Sequence, residues 1–171
     1  MNVAITWHRK DALSLLLKEQ KIKYDDFINV LDHFILNNFD KEQDIFYVWW
    51  SDWFDNIISD ILIKNWYKYI LKLSEKDKGW REYWNKDDID LFNRIKNNAI
   101  QIETIPWSYI KRDYELIKKA DKLIMFINPW KIGKSWTWTT FELFIKENIE
   151  KNINISNIKK DYSFLKIINL L

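Results

Sequence analysis

The chain contains no cysteine, and this absence excludes disulfide bonds, thiolate nucleophiles and zinc sites built on thiolates. It also lacks an apolar stretch of the roughly 18 residues that a membrane-spanning helix requires, so we expect no membrane partner. The first residues, MNVAITWHRK, do not have the charged start, long apolar middle and small cleavage site of a signal peptide, which favours a cytoplasmic location. The 27 basic and 25 acidic residues nearly balance, so charge gives no strong signal for nucleic-acid binding.

Glycine is scarce as well. A typical share of about 7% would give a chain of this length about 12 glycines, but this chain has 2, Gly79 and Gly133. It has 11 tryptophans, and the two residue types together make up 13 positions. The deficit of glycine therefore matches the excess of tryptophan, as if most glycines were replaced by tryptophan.

Short apolar runs alternate with amphipathic segments, a pattern typical of a parallel sheet covered by helices. We predict an α/β fold, a three-layer Rossmann-like sandwich with a mainly parallel sheet of about five to six strands, in one domain over residues 1–171. The predicted strands are Asn2–Thr6, Asp44–Val48, Tyr67–Leu73, Ala99–Glu103, Lys122–Ile127 and Lys166–Leu170. The predicted helices are Asp25–Asn38, Asp52–Asn65, Asp87–Asn97, Ser108–Ala120 and Thr139–Asn148, and the longest polar loop is Glu75–Asn85.

Six tryptophans stand where the chain leaves a predicted strand and approaches the next helix. They are Trp7, Trp49, Trp50, Trp53, Trp136 and Trp138. The carboxyl ends of parallel strands form the ligand crevice, where helix N-termini present N–H groups to anions and a sharp turn requires glycine. With glycine at these positions the segments become VAITGHRK, YVGGSDGFD and GKSGTGTTFE.

With those glycines, four segments of residues 2–150 resemble the SLOG superfamily, the Rossmann-like group that includes the DprA proteins, the YpsA-like proteins and the Lonely-guy phosphoribohydrolases. VAITWHR is similar to the opening strand and TGHR of the YpsA-like members, and VWWSDWFD to their SGGAxGFD turn and to the GGGxxGLM turn of the Lonely-guy proteins. KRDYELIKKADKLIMF resembles the segment RKxxMxxxSDAFIxL that precedes the Lonely-guy motif PGGxGTxxE, and WTWTTFE resembles the second half of that motif. Lys134 and Ser135 stand in place of its Pro and Gly, and Asp113 in place of the Lys after the arginine.

Three hypotheses account for the tryptophans. They can form an aromatic platform on which sugars or bases stack. They can be core residues, an alternative with more weight for the five outside the matched segments than for the other six; the five are Trp66, Trp80, Trp84, Trp107 and Trp130. The third hypothesis is decoding: some bacteria read UGA as glycine and others read it as tryptophan, so a gene of the first kind translated by the second rule shows this replacement. The codons at the 11 tryptophans, UGA or UGG, would test it.

The resemblance implies a nucleotide or nucleoside monophosphate as the ligand of a SLOG-like nucleotide-binding domain. We expect no metal and no cofactor. The sequence leaves the oligomeric state open, with a homodimer as one alternative. The resemblance implies catalytic roles for Glu142, which would bind ribose and stabilise an oxocarbenium-like transition state, and Arg112, which would donate to phosphate or ribose. Their structural alternatives are charge at a helix N-terminus for Glu142 and a solvated surface charge for Arg112. The ligand-binding positions would be the six tryptophans above together with His8, Arg9, Gly133 and Thr139. A lone histidine is also compatible with a structural role, and Asp55 with a helix cap.

Two classes of function remain open. The first is an enzyme that cleaves the N-glycosidic bond of a nucleotide, as the Lonely-guy proteins do; GTTFE is also similar to the GTxxELG of nucleoside deoxyribosyltransferases. The second is a non-catalytic nucleotide-sensing module, which the YpsA-like and DprA-like segments imply. Glu142 favours the enzyme, whereas TWHR with Lys134 and Ser135 favours the sensor.

Overall fold

The computed structural model describes residues 1–6, 10–19, 21–50, 53–75, 85–105, 109–126, 133–147, 153–157 and 165–170. The strands in these residues are β1 (Asn2–Thr6), β2 (Ile45–Trp49), β3 (Lys68–Ser74), β4 (Gln101–Ile105), β5 (Lys122–Phe126), β6 (Ile153–Asn157) and β7 (Leu165–Leu170). The helices are α1 (Lys10–Glu19), α2 (Tyr24–Asn38), α3 (Trp53–Lys64), α4 (Lys86–Asn98), α5 (Tyr109–Ile117) and α6 (Trp136–Glu147). The predicted polar loop falls almost entirely on residues 76–84, which lie outside the described residues.

All described strands form one sheet, in the order β4-β3-β2-β1-β5-β7-β6. The five strands from β1 to β5 are parallel to one another, so the predicted three-layer α/β fold with a mainly parallel sheet is confirmed. The described part of the chain adds a feature that was not predicted: β7 is antiparallel to β5, and β6 is antiparallel to β7. The sheet therefore has seven strands where about five to six were expected.

The helices cover the two faces of the sheet unequally. Residues of α1 to α4 pack in one core with the face that presents Val3 and Phe46, through Leu17, Phe27, Leu31, Phe34, Ile35, Ile57, Ile58, Ile61, Leu62, Phe92 and Ile95. Residues of α5 and α6 pack on the other face, with Ala4 and Tyr47, through Leu116, Ile117 and Phe144. This division follows from right-handed crossovers, because the chain moves in one direction from β1 to β4 and then reverses to reach β5.

Local signals explain several helix boundaries. α4 begins with a capping box, in which the Asn85 side chain accepts from the Asp88 backbone N–H and the Asp88 side chain accepts from the Asn85 backbone N–H. α3 ends with a Schellman motif, because the N–H of Tyr67 donates to Leu62 O at 2.9 Å and the N–H of Trp66 donates to Ile63 O at 3.2 Å. Such pairings satisfy carbonyl groups that the helix end would otherwise leave without a partner.

For Trp66, the alternative that it is a core residue is wrong. Its side chain is 83% exposed, and its backbone has φ = +63°. The residue that follows it in the Schellman motif, Tyr67, is buried, which leaves Trp66 projecting outward from the end of α3. The other tryptophans outside the matched segments, Trp80, Trp84, Trp107 and Trp130, lie outside the described residues.

In the described part of the chain, each helix is too short or too polar to cross a membrane.

Candidate functional site

The strand order creates a switch point beside β1. The chain passes from β1 outward through β2, β3 and β4, and then crosses to the other side of β1 with β5. Open α/β sheets bind ligands in the crevice outside the carboxyl ends of the strands at such a point. Three of the predicted ligand residues, Trp7, His8 and Arg9, follow β1 in the sequence and lie outside the described residues.

The helices α1, α3 and α6 follow the strands β1, β2 and β5 at or beside this switch point, and the first turns of α3 and α6 differ in charge. α3 follows β2, and Asp55 in its first turn is fully buried. α6 follows β5, its first turn has no acidic residue, and the exposed Lys134 precedes it. The dipole of a helix attracts anions to its N-terminus. A buried carboxylate opposes that attraction in α3, whereas a lysine adds to it in α6, so α6 is the better site for a phosphate.

The turn before α6 is shaped by Gly133 and Ser135. Gly133 has φ = +78°, a conformation that favours glycine, although a Cβ there would meet nothing within 4 Å. The Ser135 hydroxyl accepts a hydrogen bond from the backbone N–H of Trp138 at 3.2 Å, so Ser135 is the N-cap of α6. The predicted ligand residue Thr139 donates through Oγ1 to Ser135 O at 3.3 Å. Ser135, a departure from the Lonely-guy motif, thus has a structural role that the Ser-before-helix signal can predict.

Glu142 lies nearly two turns into α6 and is exposed. Its Oε1 accepts a hydrogen bond from the indole Nε1 of Trp138 at 2.7 Å. The Trp138 ring also packs against Phe141, with ring centroids 4.8 Å apart. The indole therefore donates a hydrogen bond to the carboxylate for which the resemblance implies a catalytic role. Trp136 is the first residue of the same helix, and its side chain lies outside the described part of the structure.

A buried hydrogen bond joins α5 to α6. The Thr140 hydroxyl donates to Asp113 Oδ2 at 2.9 Å, and both residues are buried. Asp113, another departure from the family motif, therefore holds together two of the four segments that carry the resemblance. Arg112 precedes Asp113 on α5, and its side chain lies outside the described part of the structure.

Trp49 and Trp50 are buried at the carboxyl end of β2. Their side chains are 3% and 5% exposed and pack in the cores on opposite faces of the sheet. The Trp50 ring meets the Phe92 ring edge to face, with centroids 4.8 Å apart. In the chain as written, these two predicted ligand residues contribute their rings to the core rather than to an open crevice. Trp53 is the first residue of α3, with its side chain outside the described part.

A buried ion pair, not predicted from the sequence, lies on the same sheet face as α5 and α6. Lys72 on β3 is 1% exposed, and its ammonium group donates to Glu103 on β4, the residue directly opposite. Its Nζ also lies 5.1 Å from the centroid of the Tyr47 ring. A lysine inside the apolar strand KYILKLS is the sequence signal that could have identified it.

The charge of Lys72 changes the acidity of its partner. Burial alone would raise the pKa of the Glu103 carboxyl. The hydrogen bond and positive charge of Lys72, helped by Lys119 and Lys118, outweigh burial and leave the pKa of Glu103 below its ordinary value. Burial also raises the pKa of Tyr47, and the negative charge of Glu103 raises it further.

A shallow depression of about 720 Å³ lies at the opposite, amino-terminal edge of the sheet. It is lined by residues 36–41 and 64–67, which are the last residues of α2 and α3 and those that follow them. None of the predicted ligand residues lines it, so we place the candidate site at the switch point instead.

Within the described residues, no group of three or more His, Asp or Glu side chains could hold a metal ion. No protein-family model matches the chain, and no curated protein is significantly similar to it.

Proposed function

We propose that the protein binds a nucleoside monophosphate at the switch point, with the phosphate at the N-terminus of α6. The observation that carries this proposal is the start of α6: a glycine with positive φ, a serine N-cap and a first turn free of acidic residues, beside an exposed lysine. Backbone N–H groups in the first turn of a helix bind phosphate without requiring a side chain.

We further propose that the bound nucleotide is cleaved at its N-glycosidic bond. Glu142 would stabilise the positive charge that develops on the ribose ring as the base leaves, while water supplies the hydroxyl group. The buried Asp113–Thr140 hydrogen bond supports this role, because it holds α5, which carries Arg112, against the helix that carries Glu142.

The indole of Trp138 would hinder both phosphate binding at the N-terminus of α6 and the action of Glu142. It is hydrogen-bonded to the Glu142 carboxylate and lies in the first turn of α6. We therefore expect the chain as written to bind AMP weakly, and Trp138→Gly to bind it more tightly because the change frees both the helix end and the carboxylate. This expectation follows from the decoding hypothesis, in which residue 138 is glycine.

The test titrates AMP by calorimetry into the chain as written and into Trp138→Gly, and then measures free adenine. Trp66→Gly, the same change at the opposite edge of the sheet, is the matched control and should leave AMP binding unchanged. Trp138→Gly/Glu142→Ala should bind AMP but release adenine at least about 100-fold more slowly than Trp138→Gly. Failure of Trp138→Gly to bind AMP would refute the nucleotide site.

One observation favours a non-catalytic sensor as the second candidate. Glu142 is exposed, which is the arrangement of a surface carboxylate rather than of a group held in a closed site for catalysis. Binding of AMP by Trp138→Gly without release of adenine would support the sensor. In a parallel assay with 2′-deoxyadenosine, release of adenine only when a second base is present to accept the deoxyribose would instead support the deoxyribosyltransferase-like alternative.

A further inference from the structure

The backbone at position 66 has the conformation of a glycine. Trp66 is the C′ residue of the Schellman motif that ends α3, with φ = +63°. This position is usually glycine because a Cβ is crowded in the left-handed region, and a bulky residue there is an outlier.

Conformation alone does not identify a glycine in this chain. Lys21 has φ = +54° in the corresponding motif after α1, where Ile22 N–H donates to Leu17 O at 2.8 Å and Lys21 N–H donates to Lys18 O at 3.1 Å. An ordinary residue can therefore occupy such a motif at some cost in stability. Position 66 differs from position 21 in its residue type. Trp66 is one of the 11 tryptophans, whose excess was explained above by an aromatic platform, by core packing or by decoding.

The core hypothesis fails at position 66. The Trp66 side chain is 83% exposed, so its burial cannot compensate for the strain of the backbone. An exposed indole at this position gains little from the hydrophobic effect, which scales with the apolar area removed from water.

The ligand-platform hypothesis fails there as well. Trp66 precedes β3, whose seven residues place it roughly 20 Å from the carboxyl ends of the strands. The two other aromatic residues of the depression beside it, Phe39 and Tyr67, are buried, and the Tyr67 hydroxyl donates to Phe39 O at 2.9 Å. Neither ring extends the exposed face of Trp66 into a platform.

We propose that position 66 is glycine in the protein that the source cell makes, and that the gene has UGA at this codon. The proposal does not rest on the nucleotide site, because position 66 is at the other edge of the sheet. It gives the decoding hypothesis, which concerns all 11 tryptophans, a structural argument at a position outside the matched segments. Glycine at position 66 would also remove the indole wall of the depression.

The first experiment is mass spectrometry of the protein isolated from its own cells. The tryptic peptide Asn65–Lys72, with the bond after Lys68 uncut, contains position 66 and no other tryptophan. We expect glycine at its second residue. Tryptophan at that residue overturns the proposal.

The second experiment measures the equilibrium constant of unfolding in urea for Trp66→Gly and Trp66→Ala. Both variants remove the same exposed indole, so they differ in the Cβ alone. We expect Trp66→Gly to unfold with a constant about 5- to 30-fold smaller than that of Trp66→Ala, because glycine relieves the left-handed backbone. Lys21→Gly and Lys21→Ala provide the matched pair that shows how much strain the assay detects. A difference for the Lys21 pair with none for the Trp66 pair would overturn the proposal.

Discussion

Glu103→Gln tests the buried ion pair, because it removes the counter-charge of Lys72 and leaves the ammonium group in place. Removing one partner of a buried pair typically costs about 3–5 kcal/mol. Glu103 is 23% exposed, so water solvates part of the pair, and the glutamine oxygen still accepts a hydrogen bond. We therefore expect the free energy of unfolding to fall by about 2–3 kcal/mol.

Removing the lysine of the pair should destabilise the protein less than removing the charge of the glutamate. Lys72→Met replaces the buried ammonium with an apolar chain of similar length, and it leaves a carboxylate that water can reach. We expect it to cost about 1 kcal/mol or less. The control is Lys68→Met on the same strand, because the Lys68–Glu42 pair is exposed at both ends and such pairs contribute about 0–1 kcal/mol. Urea denaturation that shows Glu103→Gln no less stable than Lys68→Met would refute the burial argument.

The Lys72–Glu103 pair also predicts that the stability of the protein depends on pH. The folded-state pKa of Glu103 lies below its ordinary value of 4.5, so its contribution to stability is complete above that pH and is lost as the pH falls through the folded-state pKa. The difference in unfolding free energy between the chain without substitutions and Glu103→Gln should therefore be constant near neutral pH and shrink below about pH 4.5. A difference that stays constant down to pH 2 would contradict the assignment.

Substitutions at three further positions test contacts at the start of α6 and in the core, each by urea denaturation. Ser135→Ala should cost about 1 kcal/mol because it removes the N-cap of α6, and Ser135→Asn should restore most of that stability. Thr140→Val should cost about 1–2 kcal/mol because it leaves the buried Asp113 carboxylate without its hydroxyl donor, whereas Thr140→Ser should cost less. Tyr69→Phe should cost about 1 kcal/mol because it removes the hydrogen bond to Ile95 O. If Ser135→Ala, Thr140→Val or Tyr69→Phe leaves the free energy of unfolding unchanged, the contact that it removes does not stabilise the protein.

The sequence pattern predicted the parallel part of the sheet because its strands are short apolar runs bounded by polar segments. β1 was predicted with its observed bounds, and β2 to β5 with shifts of one or two residues. The predicted start of the last helix, Thr139, was three residues late because the Ser135 cap was not used. The direction of β7 was not predictable, since an apolar run specifies a strand but not its orientation. β6 was missed because asparagine and serine alternate with its isoleucines.

The candidate site was less predictable than the fold. Motif resemblance identified the segments around Gly133 and Glu142, but it could not show that Trp138 binds the Glu142 carboxylate or that Trp49 and Trp50 pack as core residues. Those contacts depend on side-chain packing between elements. The Lys72–Glu103 pair was missed for a related reason, because it exists only in the register of β3 against β4.

The position of β1 has a consequence for the order in which the protein folds. β1 pairs with β2 after a short separation in the chain, but its other neighbour is β5, and the hydrogen bond from Asn2 N to Asp121 Oδ2 closes a loop of 119 residues. During synthesis, β1 to β4 can assemble while one side of β1 still presents unpaired backbone groups. Such an open edge can pair with another chain, and pairing of distant strands is slow. Aggregation of this protein should therefore compete with folding mainly during the interval before β5 docks.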